Sequence, residues 1–428
     1  MQTKELIALI ENGGLDSRFA ALYGESAVAA QRERYTDAVR EFSSLFGADR
    51  EVRLFSVPGR SEISGNHTDH NRGCVIAAAV DLDIIAVASA NGDGKVTVKS
   101  KGFPADTVDC HPGEPDEKLF YTSGSLLSGV CAGFEKRGYR VGGYDAYTTS
   151  NVLKGSGISS SAAFEVMIGT VMNHLYNDAV ITAPVIAEIA QYAENVYFGK
   201  PSGLMDQTAC AVGGFSFIDF ADPKAAKIEK LGFDLSRAGY SLCITNTGGN
   251  HADLNDDYAS VPAEMKAVAE EFGRGVLRGL TVKELLARAG ELREKVGDRA
   301  ILRAFHFIRE NERVMGQAEA LKRGDIGSFL SGVRASGESS FMYLQNVYTT
   351  KNVREQGLSL ALAVTDYALS GTERTSAWRV HGGGFAGTVQ AFVPDENVDG
   401  YKSGMEAVFG AGSCAVLKVR PEGCTAVL

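Results

Sequence analysis

Residues 153–165 read LKGSGISSSAAFE, and the rest of the chain is read outward from this stretch. Gly155 and Gly157 open a loop with Ser156 between them, Ser159, Ser160 and Ser161 follow, and Ala162 begins a run with helical spacing. Glycine lets backbone N–H groups close around an anion, and a helix start adds unpaired N–H groups and partial positive charge. Serine hydroxyls at the same place donate to phosphate oxygens or help to hold Mg2+. The pattern predicts a polyphosphate site; its plain alternative is a loop with a serine N-cap. It is not a Walker A loop, because no Gly-Lys-Ser/Thr occurs in the chain, and the His-Arg-Asp and Asp-Phe-Gly motifs of protein kinases are also missing.

Composition narrows the field of ligands. The chain has 428 residues, 44% hydrophobic and 22% charged, enough for a large core and two or three domains. A net charge of −10 argues against a nucleic-acid surface and against attraction to anionic membranes. An anionic ligand would therefore be met by local amides, a metal and a few basic side chains. The opening MQTKELIALIENGG lacks a basic segment followed by a continuous apolar core, and the apolar run 75–90 is interrupted by Asp81 and Asp83. Seven scattered cysteines form no Cys-x-x-Cys pair, so a reduced, cytoplasmic setting is the expectation.

Periodicity gives a mixed α/β order. Residues 3–46 are spaced as helix, and 53–57 alternate as a strand that is expected to break at Pro58-Gly59. Runs 75–90 and 95–100 flank Asn91-Gly92-Asp93-Gly94 and predict a hairpin. Helices are expected over 162–175 and 184–198, strands over 214–220, 240–245, 387–394 and 413–419. The charge-rich stretch 261–330 reads as helix with a solvated face. The pattern predicts closely packed α+β domains with a soft boundary near 200.

Three further clusters carry chemistry. Pro58-Gly59-Arg60 and residues 65–73 (GNHTDHNRG) bring a guanidinium, an imidazole and a carboxylate to a turn after a strand. Three ligands so closely spaced rarely sit tetrahedrally on a metal, and carboxylate with imidazole reads the hydroxyls of a polyol well. In Lys200-Pro201-Ser202-Gly203-Leu204-Met205-Asp206-Gln207, a carboxylate enters a small, apolar segment, which is costly without a partner such as Arg60. An ionised Asp beside a hydroxyl can accept its proton in phosphoryl transfer; the plainer role is a helix cap. His381-Gly382-Gly383-Gly384-Phe385-Ala386-Gly387 fits the dinucleotide fingerprint by spelling only. A strand pattern follows it, so it is read as a glycine loop that brings backbone close to something.

In order, these clusters resemble the three signature motifs of the GHMP kinase superfamily, and its galactokinase branch most closely. The family form of the first is Gly-Arg-x-Asn-Leu-Ile-Gly-Glu-His-Thr-Asp-Tyr-Asn. The resemblance implies a mixed-sheet N-terminal domain, here 1–200, a ferredoxin-like C-terminal domain, here 201–428, and a cleft between them for sugar and MgATP. It implies Asp206 as the catalytic group with Arg60 as partner, Asp206 either taking the proton or orienting the hydroxyl. It places Ser161 and Glu194 at Mg2+-associated positions, and Asn66, His67, Asp69, Gly203 and Tyr258 on the sugar. Gly155, Ser156, Gly157, Ser159, Ser160 and Ser161 would hold the nucleotide phosphates. No nucleic acid or membrane partner is implied, and a monomer or weak homodimer is expected.

The sugar-side residues depart from the family form. Asn66 stands where the motif has Glu, Glu62 where it has Asn, and His70 where it has Tyr. The segment after Tyr258 lacks the usual arginines, and 344–352 lack the family's acidic segment. The expected activity is ATP-dependent phosphorylation of a sugar at its anomeric hydroxyl, galactose first. Another hexose, an amino sugar or a polyol is the alternative acceptor. A catalytically silent sugar and ATP sensor is the third reading, and the intact Ser159–Ser161 run and Asp206 speak against it.

Overall fold

The computed structural model describes residues 1–152, 160–222, 225–249, 254–372 and 375–428. Its first sheet has eight strands: β1 (Arg53–Ser64), β2 (Cys74–Ala90), β3 (Lys95–Ser100), β4 (Ala105–Asp109), β5 (Tyr144–Ser150), β6 (Phe215–Asp219), β7 (Lys227–Leu231) and, from the far end of the chain, β12 (Thr425–Ala426). The second has four: β8 (Tyr240–Asn246), β9 (Ala377–His381), β10 (Thr388–Pro394) and β11 (Cys414–Leu417).

The 17-residue β2 organises the first sheet. Its Val/Ile/Ala run is buried along nearly its whole length, as a strand covered on both faces must be. One edge pairs with β1; the other pairs first with β6 and then with β5. The order is β12-β1-β2-β5-β3-β4, with β6 and β7 continuing from the free part of β2. The hairpin expected across residues 91–94 does not form: β5 inserts between β2 and β3, pairing parallel with β3. The turn residues are present, but the wider β2–β3 crossing they make is filled by β5, and Asn91 bonds Asp145 on that strand (3.1 Å). Asp83, a charge inside the apolar run, is fully buried between Arg34 (2.6 Å) and Arg420 (3.3 Å), which tie an N-terminal helix and the C-terminal tail to β2.

The second sheet is antiparallel in the order β11-β8-β10-β9. Helices lie between β8 and β9 and between β10 and β11, giving the β-α-β-β-α-β order of a ferredoxin-like layer. The molecule is α+β, a mixed sheet and a ferredoxin-like layer, as the resemblance implies. Residue 200 precedes β6, β7 and β12, all of which join the first sheet.

Two local expectations need correction. The first strand does not end at Pro58-Gly59; β1 runs on to Ser64 and absorbs the proline at a register shift between Pro58 and Arg60. Within 261–330, helix Asp298–Lys322 is not a solvated face throughout: Arg303, His306 and Glu310 are buried to 1% exposure or less.

Candidate active site

β1 is the spine of the site. Arg60 and Glu62 stand two residues apart in unbroken register with β2, so they share a face. Arg60 is buried and grips Asp206 with both forks of its guanidinium, Nε to Oδ1 and Nη2 to Oδ2, each at 2.6 Å. Burial works against the Arg60 charge, but the adjacent Asp206 outweighs it and holds the guanidinium above its ordinary pKa. Asp206 lies in the first turn of helix Met205–Val212, where the helix dipole favours a negative charge. Its side chain keeps 29% exposure, so the paired carboxylate still reaches solvent. The pairing anticipated from sequence is present.

Beneath it lies a second acidic group. Gln207 donates through Nε2 to Glu194 Oε2 (2.7 Å) and to Glu165 Oε2 (3.2 Å). Glu194 sits in the π-helical turn Ala193–Tyr197 and accepts from Lys200 Nζ at 2.9 Å. Glu165 is fully buried in helix Ser160–Tyr176, four residues after Ser161 and so on its face. Burial, reinforced by the negative Glu194, pushes Glu165 up to about 9. Glu165 escaped the sequence reading although it closes the decisive stretch; its signal was a lone carboxylate on the apolar side of a helix. Ser160 and Ser161 are half-buried at the start of that helix, while Gly155, Ser156, Gly157 and Ser159 lie outside the described residues.

The turn after β1 is held from the other layer. Gly65 has φ +101°, and a Cβ there would stand 2.6 Å from the Cys74 carbonyl, so only glycine fits. Asp69 and Gly203 come together: a Cβ at Gly203 would be 3.1 Å from Asp69 Oδ2, and both line a cavity of about 490 Å3 with Gln191, Asn195 and Leu204. His67 donates from Nε2 to the Gly383 carbonyl (2.9 Å), and Tyr258 from its hydroxyl to the Gly384 carbonyl (2.7 Å). Burial raises the Tyr258 phenol to about 12. The glycine loop 382–387 is therefore the seat of the first motif and of Tyr258.

Asn66 is placed differently from the expectation of a sugar contact. It is fully buried, its Nδ2 donates to Glu62 Oε1 (3.1 Å) and the Gly382 carbonyl (2.6 Å), and its Oδ1 accepts from Asn346 (2.7 Å). Its backbone carbonyl accepts from His306 (3.0 Å). Every hydrogen-bonding group of the side chain is spent on protein, so Asn66 acts as a joint. Arg379 of β9 completes it, donating to Glu62 Oε1 and to the Ile63 carbonyl, both at 3.0 Å.

One more opening adjoins the serine run. A largely apolar cavity of about 550 Å3 is lined by Ile84, Phe103, Pro104, Val152, Ser160 and Phe164, at the mouth of helix Ser160–Tyr176. Sequence reasoning missed it because its walls come from β2, β5 and a loop far apart in the chain. Among the described residues no group of three His, Cys, Asp or Glu side chains could hold a metal ion, and no helix is long and apolar enough to cross a membrane.

Residues 125–214 match the GHMP kinases N terminal domain, and residues 40–90 match the galactokinase galactose-binding signature. Galactokinase of Streptomyces coelicolor is 31% identical over 389 residues, covering 88% of this chain and 94% of that protein. Galactokinase of Actinobacillus pleuropneumoniae serotype 3 is 31% identical over 85% of this chain and 90% of its own. Lactococcus lactis galactokinase, solved with galactose, superposes with a TM-score of 0.72 at 22% identity, over 90% of this chain and 98% of that one. Methanococcus jannaschii mevalonate kinase gives a TM-score of 0.59 at 14% identity, over 86% and 98%. With relatives of 31% identity aligned along most of its length, the chain belongs to the galactokinase family of the GHMP kinases.

Proposed function

We propose that this kinase transfers the γ-phosphoryl group of ATP to the anomeric hydroxyl of galactose, giving α-galactose 1-phosphate and ADP. The observation that carries the reading is the two-pronged Arg60–Asp206 pair, whose carboxylate keeps 29% exposure and lies two residues after Leu204, a wall of the Asp69–Gly203 cavity. Asp206 receives or orients the sugar hydroxyl proton as the new O–P bond forms and the bond to ADP breaks. Arg60 pairs with Asp206 through both oxygens and faces the charge that develops on the transferred group. Asp69, His67 and the open space at Gly203 hold the sugar. The apolar cavity beside Ser160 suits the base of ATP, with residues 155–161 on its phosphates.

Mg2+ fits the residues here. The buried Glu165 Oε1 has no partner, Ser161 adds a hydroxyl on the same helix face as Glu165, and Glu194, whose Oε1 now takes Lys200, would exchange that cation for the metal. Ser161 and Glu194 would hold the ion, which when bound offsets charge on the β- and γ-phosphate oxygens. The chain would work in the cytoplasm as a monomer or weak homodimer.

The test is ATP consumption over galactose, galactosamine, N-acetylgalactosamine, glucose and arabinose, with phosphorus NMR of the product. A galactose 1-phosphate signal above all others supports the reading. A stronger signal from another sugar keeps the kinase and moves the acceptor. Nucleotide binding without turnover on any sugar overturns it.

A further inference from the structure

Glu62 and Asn66 exchange their types relative to the family form, and the structure gives that exchange a meaning. The two side chains bond each other directly, Asn66 Nδ2 to Glu62 Oε1 at 3.1 Å. A carboxylate and a carboxamide still face one another, but the charge now sits on the strand, four residues earlier. Asn66 has no group left for a ligand. Glu62 does: Oε1 takes both Asn66 and Arg379, whereas Oε2 has no partner among the described residues and is not among the atoms sealed from solvent.

Glu62 is also well placed. It shares a face of β1 with Arg60, and its negative charge helps to hold the Arg60 guanidinium protonated. Arg379, fully buried, fixes Glu62 Oε1 through one fork nitrogen and the neighbouring strand carbonyl through another, so the carboxylate cannot swing. A carboxylate held through one oxygen, with the other uncommitted on the strand face that carries Arg60, suits a hydroxyl donor. An analogue without that hydroxyl leaves the carboxylate desolvated and unpaired.

We propose that Glu62, through Oε2, is a specificity-determining residue that accepts a hydrogen bond from one ring or exocyclic hydroxyl of the sugar, with Asn66 and Arg379 holding it in place. The proposal rests on the sugar-kinase reading above.

The experiment compares wild type, Glu62→Gln and the exchange variant Glu62→Asn/Asn66→Glu on galactose and its 2-, 3-, 4- and 6-deoxy analogues. Thermal melting and the KM for ATP are measured in parallel. Wild type should discriminate against one analogue by about ten- to a hundred-fold in kcat/KM, from the loss of one charged hydrogen bond. Glu62→Gln should flatten that one ratio, chiefly through the sugar KM, with the KM for ATP unchanged. The exchange variant, which keeps the pair and relocates the charge, should melt below wild type because Arg379 loses its carboxylate, and should alter the order of preference among analogues. If all analogue ratios in Glu62→Gln match wild type, or the KM for ATP moves as much as that for sugar, the assignment of Glu62 fails while the kinase stands. Wild type inactive on every sugar overturns the kinase reading, and the assignment with it.

Discussion

Two guanidinium–carboxylate pairs are anchored on one strand, two residues apart, and they are built for different work. Arg60 and Asp206 meet through two bonds of 2.6 Å, and Asp206 keeps 29% of its side chain exposed. Arg379 and Glu62 meet through one bond of 3.0 Å, with the arginine wholly buried and Glu62 shared with Asn66. The first pair links β1 to a helix of the same lobe and faces the cleft. The second links β1 to β9 of the other sheet. A carboxylate left partly in solvent can handle a proton; one held through a single oxygen by an arginine and a carboxamide ties two layers together and leaves its second oxygen for a ligand.

The contrast can be broken most strongly at Asp206. Asp206→Ala should lower kcat by about ten-thousand-fold, close to 5.5 kcal/mol, with little change in melting temperature. Near-normal turnover would remove Asp206 from the reaction. Arg379→Ala should act in the opposite sense, costing about 3–5 kcal/mol of folding stability in a denaturant titration because a buried carboxylate loses its cation. A loss of activity without a loss of stability there would erase the distinction between the pairs. Asn66→Ala sharpens it further: with one N–H of Asn346 and the Gly382 carbonyl left unpaired, about 2–3 kcal/mol should be lost.

Below these effects lies the pH dependence of Glu165. Held up at about 9 against an ordinary 4.5, it carries an extra proton in the folded protein across that window. Its contribution to stability therefore falls as pH rises from 4.5 toward about 9, by at most about 1.4 kcal/mol per pH unit. Glu165→Gln removes this linkage, so its melting temperature relative to wild type should climb between about pH 5 and pH 9. Parallel curves would mean that Glu165 is ionised when folded. Smallest of all, Tyr258→Phe removes one hydrogen bond to the glycine loop and should cost about 1 kcal/mol.

The cleft pair was legible in sequence because each half announces itself locally: Arg60 follows a Pro-Gly pair, and Asp206 interrupts a small, apolar segment. The same holds for Asp69 with Gly203, which the structure brings to one cavity. The interlayer joint was not legible. Asn66 meets partners about 240 to 316 residues away, and no local pattern reveals that His306, Asn346 and Gly382 converge on it. Helix Asp298–Lys322 misled for a related reason, since its charged residues face both solvent and core and composition cannot separate the two. The lost hairpin is a third case: residues 91–94 specify a turn, but pairing in the sheet depends on β5, more than fifty residues on. Topology and long-range polar contacts were hidden; motifs and periodicity were open.

The most direct single measurement is side-by-side turnover of ATP with galactose by purified wild type and Asp206→Ala, galactose binding to both being followed by calorimetry. The account predicts galactose 1-phosphate from wild type, loss of turnover in the variant and galactose bound by both. Equal turnover in the two proteins, or none in wild type despite bound sugar and nucleotide, would contradict it.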